Sequence, residues 1–437
     1  MRRWLYDLGF SIFGIISLPH FLGRMKQADD RRRLLRERFG IFPAPTREKF
    51  SGARPLWIHC VSVGEVLAVE KFLELFREKS PEQTIVLTTV TPTGQQMAKK
   101  WEDERIKVFY FPFDLGFVVR RFFDAIQPTA LLLVETEIWP NVIEEARRRQ
   151  IPVGIVNGRL SERSFRSFQR FRSFFHSVFS SIDFFWVQTP KDRERWLALG
   201  VDPEKVKVTG NMKLDAFSLN GQWESDRVLL RQKFGFSPEE KILIGGSTHP
   251  GEEEILLRAL GGLRREGLKL KLVLAPRHIE RSQKILDEVK KAGFRGMPAS
   301  KNKEAPSSFD VLILDKLGEL RRLYAVADAV FMGGSWVRHG GQNPVEPAAC
   351  RRPILHGPWV FNFGDLYERL DEEGGSLQVK SEEELFCVLK RLLVNDRESE
   401  ALGTQAFEIL KRLQGASERN FTGIGEKIGA KEKYEIR

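Results

Sequence analysis

The chain has 437 residues, which is too long for one ordinary hydrophobic core and implies two or more domains. Seventy Lys and Arg against 59 Asp and Glu give a net charge of +11, favouring an anionic surface or ligand, with nucleic acid and phospholipid both candidates at this level. Cys60, Cys350 and Cys387 stand far apart without metal-ligand spacing, so they exclude a zinc site and a disulfide scaffold and read as packed thiols of a reducing compartment.

Trp4 to Leu22 is mostly apolar, interrupted by Asp7 and ending near Pro19 and His20. As a helix it would reach roughly 28 Å, close to a hydrocarbon core. No small-x-small cleavage site follows Leu22, so residues 1–26 are expected to be a membrane anchor, spanning or interfacial, rather than a signal peptide. The basic run Arg31 to Arg38 would suit an anionic leaflet.

From Pro55 the text alternates strand and helix. Leu56 to Val61, Thr84 to Val90, Val108 to Phe111, Ala130 to Val134, Val153 to Val156 and Phe184 to Val187 read as buried strands, with amphipathic segments between them. The polar stretch Ser218 to Ser225 interrupts the pattern. A second series follows at Ile242 to Ile244, Leu270 to Leu274, Val311 to Leu314, Ala329 to Met332 and Pro353 to Leu355. The order implies α/β architecture with parallel sheets covered on both faces. The expected division is a Rossmann-like domain over 27–220 and a second over 221–437, with the site in a central cleft. Glu398 to Leu413 reads as a helix, and the charged tail from Gly423 as frayed.

The turns after these strands hold the candidate chemistry. Ser62-Val63-Gly64-Glu65 places a carboxylate at a strand-to-helix turn. Glu135-Thr136-Glu137-Ile138-Trp139-Pro140-Asn141 and Gly210-Asn211-Met212-Lys213 follow later strands of the first half. In the second half, Gly245 to Glu253 offers small donors suited to phosphate, and Pro276-Arg277-His278 brings a guanidinium to the same rim. Leu317-Gly318-Glu319 opens another helix. In the stretch Ala329 to Ala349, Gly340-Gly341 allows close backbone approach, Asn343 is an N-cap, and Pro344 suits the first turn. Glu346 then lies beside unpaired helix amides, where a carboxylate can take ribose hydroxyls or merely complement the helix dipole. His59, inside a strand, reads as a satisfied core residue. The Gly-x-Gly-x-x-Gly fingerprint of a dehydrogenase is missing after the early strands.

Together with Arg-Glu-Arg-Phe-Gly at 36–40, these motifs resemble the 3-deoxy-D-manno-octulosonic acid (Kdo) transferases, over nearly the whole chain to about residue 395. The resemblance implies the GT-B fold, CMP-Kdo as donor and a lipid A precursor (lipid IVA) as acceptor. It also implies inversion at the anomeric carbon, with no metal and no further cofactor. The setting it implies is the cytoplasmic face of the cell inner membrane, with an anionic membrane surface as partner and no nucleic acid. Position by position, Glu65 matches the general base, and Glu135 and Lys213 match groups that steady the transition state. Pro276, Arg277, Leu317, Gly318, Glu319, Asn343, Pro344, Val345 and Glu346 match the CMP site. Gln342 stands where histidine is often expected.

The residue types fit this chemistry. An acceptor hydroxyl attacks once a positioned carboxylate removes its proton, and the departing phosphate needs no proton if Arg277, Lys213 and helix amides neutralise it. Glu135 and Glu137 remain alternatives for the orienting role. A UDP-sugar transferase and a non-enzymatic membrane-attached binding protein are the rival readings.

Overall fold

The computed structural model describes residues 6–11, 30–44, 52–217, 219, 223–301 and 309–432. The chain forms two compact units, residues 1–216 with 414–437, and residues 217–413.

The first unit is built on a seven-stranded sheet. Its strands are β1 (Leu56–His59), β2 (Ile85–Thr89), β3 (Ile106–Tyr110), β4 (Ala130–Val134), β5 (Val153–Gly158), β6 (Phe184–Val187) and β7 (Val206–Val208). They run parallel in the order β3-β2-β1-β4-β5-β6-β7. Strands β1, β2, β4, β5 and β6 are buried along their whole length because helices cover both faces, which is why they read as unbroken apolar runs. His59 lies fully buried, its Nδ1 3.0 Å from Thr88 Oγ1 and its ring 3.7 Å from that of Phe111, but its Nε2 has no hydrogen-bond partner among the described residues, so this core histidine is only half satisfied.

The second unit repeats the architecture. Its strands are β8 (Lys241–Thr248), β9 (Leu270–Pro276), β10 (Gly296–Pro298), β11 (Val311–Ile313), β12 (Ala329–Met332), β13 (Ile354–His356) and β14 (Leu377–Gln378). The order is β10-β11-β9-β8-β12-β13-β14, again all parallel.

Four expectations need correction. The tail is not frayed from Gly423: a helix runs Ala416–Glu432 and packs on the first unit, so 414–437 does not belong with the second domain. Asp215 fastens it, accepting the Gly415 and Ser417 amides at 2.7 and 2.5 Å. At Gly423 a Cβ would come within 2.6 Å of the Trp186 ring, so the glycine is required by that close approach. The basic run Arg31–Arg38 is a helix, and only part of it faces water. Arg33 binds Glu37 and the Val108 carbonyl, Arg38 is buried against the Val90 carbonyl, and Glu37 accepts the Tyr110 amide. Arg31, Arg32 and Arg36 remain exposed. Finally, Cys60 and Cys350 are packed, but Cys387 is exposed.

The apolar segment Trp4–Leu22 falls largely outside the described residues. Residues 6–11 are helical, with Tyr6 Oη donating to Asp114 at 2.8 Å and Asn141 Nδ2 donating to Asp7 at 2.7 Å. Among the described residues no helix is long and apolar enough to cross a membrane.

Replacing Asp215 by alanine removes the acceptor for two helix-start amides. Loss of such a charged acceptor costs about 1–3 kcal/mol. The expected outcome is a lower urea midpoint for the first unit, and an unchanged midpoint would mean that the C-terminal helix is held by other contacts.

Candidate active site

Each unit carries one rim of chemistry-bearing residues, at the carboxyl ends of its strands. In the first unit the strand order reverses between neighbours β1 and β4. Their outgoing connections leave towards opposite faces and open a crevice between them.

Glu65 stands in the first turn of the helix Val63–Ala68, directly after β1. Its carboxylate reaches back to accept the Val61 amide at 2.7 Å and the Ser62 hydroxyl at 3.1 Å, a variant of the capping box that fixes its rotamer. Only 7% of the residue is exposed. Burial pushes its pKa up to about 7 and the charge of Glu135 adds to this, while the Val61 amide, Ser62 and Lys213 oppose it.

Glu135 is the first residue beyond β4 and has φ 61°, a left-handed conformation that costs a non-glycine residue on the order of 1 kcal/mol. The turn is held from both sides. The Glu135 amide still bonds the Val156 carbonyl at 3.0 Å, and its carboxylate receives the Lys213 ammonium at 2.6 Å. Lys213 sits in the 3-10 turn Met212–Ala216. That turn is placed by Asn157, whose Oδ1 accepts the Met212 amide at 2.9 Å, and by Asn211, which accepts the Lys213 amide at 3.0 Å. The Gly-Asn-x-Lys spacing is thus a device for delivering an ammonium to Glu135. Gly210, at φ 95°, makes the preceding turn.

Glu137 is the third carboxyl group. Burial, then the charges of Glu65 and Glu135, push its pKa up to about 8. The two glutamates of the motif therefore differ in environment: Glu135 is matched by a cation, whereas Glu137 holds its proton through neutrality. Glu65, Glu135 and Lys213 come together on this rim. Asn157, which the sequence reading did not single out, acts behind them, and its only signal was a polar residue at the end of an apolar strand.

In the second unit the order reverses between β8 and β12. Glu252 and Glu253, in the stretch read as suited to phosphate, are scaffold. Glu252 is fully buried and accepts the amides of His249, Gly334 and Trp336 at 2.8, 2.8 and 2.9 Å, tying the loop after β12 to the turn after β8. Glu253 receives Thr248 and both Arg281 nitrogens.

Pro276 ends β9 and is buried, while Arg277 beside it is exposed. Among the described residues the Arg277 guanidinium has no hydrogen bond or ion pair. Leu317 is 80% exposed, Gly318 turns at φ 86°, and Glu319 lies 3.6 Å from Lys233. Asn343 Oδ1 accepts the Val345 amide at 3.1 Å, opening the short helix Val345–Ala349 behind Pro344. Val345 is buried, so it can offer a ligand only its backbone. Glu346 is half-buried without a hydrogen-bond donor among the described residues. Burial raises its pKa, and Arg321 opposes the rise. Gly340 and Gly341 do allow a close approach, but to the chain's own loop: a Cβ on Gly340 would lie 2.5 Å from Phe361, and one on Gly341 3.1 Å from Val360.

Residues 33–216 match a family model described as 3-deoxy-D-manno-octulosonic-acid transferase (kdotransferase). A 3-deoxy-D-manno-octulosonic acid transferase of Haemophilus influenzae is 34% identical over 401 residues, covering 91% of this chain and 92% of that one. A protein of the same description from Chlamydophila psittaci is 34% identical over 374 residues, covering 85% and 84%. Among solved structures, the UDP-GlcNAc 2-epimerase of Neisseria meningitidis bound to UDP-GlcNAc superposes with a TM-score of 0.57 at 13% identity, covering 85% of this chain and 100% of that one. This likeness concerns the fold, the paired Rossmann-like units of the GT-B type.

Lys213 lowers the pKa of Glu65, so replacing it by methionine should move the Glu65 titration to higher pH, above the present value of about 7. Carboxyl-carbon NMR across the pH range would read the change. A Glu65 titration that stays put would separate Lys213 from this carboxylate.

Proposed function

The chain belongs to the family of 3-deoxy-D-manno-octulosonic acid transferases, and from that premise we propose that it moves Kdo from CMP-Kdo to a hydroxyl of a lipid A precursor by direct inverting displacement. It is a glycosyltransferase of lipopolysaccharide biosynthesis. The observation that carries the mechanism is the buried Glu65, poised near neutral pH at the switch point of the first sheet.

In this reading Glu65 takes the acceptor's hydroxyl proton as the oxygen attacks the anomeric carbon. The bond from that carbon to the phosphate oxygen breaks, and CMP leaves with the electron pair. A base with a pKa near the working pH is both sufficiently ionised and sufficiently basic. Lys213, held by Glu135, offers a cation for the charge that develops. Glu137, protonated around neutral pH, adds no negative charge beside an anionic donor.

The donor nucleotide is assigned to the second unit. Arg277 has a free guanidinium for phosphate, and the backbone amides of Gly318 and Asn343 are further donors, Pro344 having none and that of Val345 being taken by Asn343 Oδ1. The unpartnered carboxylate of Glu346 suits ribose hydroxyls. Pro276, Leu317 and Glu319 would line the nucleotide. The reading needs no metal or further cofactor, since side chains already present supply the base and the cations.

We also propose attachment to the cytoplasmic face of the inner membrane through the segment around Trp4–Leu22. The apolar run, the exposed Arg31, Arg32 and Arg36 beyond it, and the exposed Arg163, Arg166, Arg170 and Phe171 support an anionic lipid surface as partner.

Glu65→Gln keeps the shape and loses the basicity. The expected result is a drop in transfer of about 10²–10⁴, with CMP still raising the melting temperature of both proteins more than UDP does. Near wild-type transfer by a folded Glu65→Gln protein would remove Glu65 as base, and stronger protection by UDP would remove the donor assignment. In the wild type, transfer should fall as pH drops below about 7, because protonation disables the base.

Deleting residues 1–25 should move the protein from membranes to the soluble fraction at high salt, where the basic surface no longer holds it. Partition is the readout, because the deletion also removes the Tyr6 and Asp7 contacts. A truncated chain that still sediments with membranes would dismiss the anchor.

A further inference from the structure

Three histidines with no assigned task meet at the crevice of the second unit. His249 follows β8, His278 follows β9, and His339 lies in the loop after β12. The rings of His249 and His339 are stacked, 4.3 Å apart and 18° from parallel, and His278 stands edge-on to His249 at 6.1 Å. Gly334 leaves room for the stack, since a Cβ there would sit 3.3 Å from His249 Cδ2. Burial, together with the charges of His339, His278, Arg281 and Arg277, pushes the His249 pKa down to about 4, so its ring is neutral at working pH. Gln342 Nε2 lies 3.3 Å from His249 Nε2. With the amide as donor, the Nε2 of His249 accepts and its proton sits on Nδ1.

Around this pair, His339, His278, Arg277 and Arg338 are exposed. The nearby acids are occupied: Glu252 by three amides, Glu253 by Arg281, and Glu280 lies 3.5 Å from His278. Among the described residues no three His, Cys, Asp or Glu side chains converge on a metal position. This edge of the crevice therefore carries nitrogen donors with little competing negative charge, at the place in a parallel sheet where ligands bind.

We propose that His339 and His249, flanked by Arg277, form a subsite for the carboxylate that the donor sugar acid carries on its anomeric carbon. The inference rests on the CMP-Kdo reading above. In that donor the anomeric carbon bears both the carboxylate and the nucleotide phosphate, so two anionic groups share one centre and need donors from two sides. Two stacked imidazoles supply two N–H groups, and mutual repulsion prevents both from becoming cations. Gln342 fixes the tautomer of the buried ring. A sugar nucleotide without the carboxylate gains nothing from this pair.

The test uses the full chain with His339→Ala and His339→Gln, measuring KM for CMP-Kdo and the dissociation constant of CMP by calorimetry. Losing a hydrogen bond to a charged group should raise KM about tenfold. CMP, which lacks the carboxylate, should bind within about twofold of wild type, and the glutamine variant should recover part of the loss. Equal weakening of CMP and CMP-Kdo would assign the pair to the phosphate and overturn the proposal. Unchanged KM in a variant with wild-type melting temperature would reduce the rings to packing. If wild-type protein neither prefers CMP over UDP nor uses CMP-Kdo, the donor reading itself fails. That result is distinct from a failure confined to the variants.

Discussion

Both candidate sites depend on one topological constraint. In each sheet the strand order turns back on itself once at the centre, at β1 beside β4 and at β8 beside β12. Neighbouring parallel strands there send their connections to opposite faces, so no chain segment covers the gap between their carboxyl ends. Backbone amides and charged side chains can face such a gap, whereas elsewhere on these sheets they would be sealed under helices. The left-handed residues at these rims are Glu135, just past β4, and Ser247, at the register shift near the end of β8.

The two rims use the same residue type for opposite purposes. Glu65 and Glu252 each stand in the first turn of the helix that follows the first strand of their unit, and each reaches back to a backbone amide. Glu252 spends both oxygens on three amides of its own chain. Glu65 has one donor on each oxygen, out of about four acceptor positions on a carboxylate. Glu65 thus keeps about two acceptor positions open, as the proposed base needs, whereas the three amides on Glu252 make it a fastener. Sequence spacing alone could not separate them, because the difference lies in amides brought from the loop after β12, about eighty residues away.

What was legible in the chain follows from how far each signal is local. Ala130–Val134, Phe184–Val187 and Ala329–Met332 were delimited by their apolar runs, since a strand buried on both faces has no polar alternation. The edge strands Val206–Val208, Gly296–Pro298 and Leu377–Gln378 were missed because two or three residues carry no period. The Ala416–Glu432 helix was misjudged because its polar text gives no hint that Gly423 closes on Trp186. Glu346 lies in the first turn of its helix as expected, but the cap falls one residue late: Pro344, not Asn343, is the N-cap of Val345–Ala349. Arg38, Glu37 and the Gly340-Gly341 pair proved to serve packing, a distinction that depends on which distant segment lies opposite.

The charge balance of the first rim explains how carboxylates can gather at one switch point. Three ionised carboxylates with one ammonium would repel one another. Burial and mutual repulsion leave Glu137 protonated, with a pKa of about 8, and Lys213 matches Glu135 at 2.6 Å. Only Glu65 then alternates between charged and neutral near pH 7. In the proposed reaction Glu65 becomes neutral when it takes the acceptor proton. In that reading the rim loses a negative charge at the step in which the departing phosphate gains one. A pair of carboxyl groups with separated pKa values, one spent on neutrality and one free to cycle, is the arrangement that permits this.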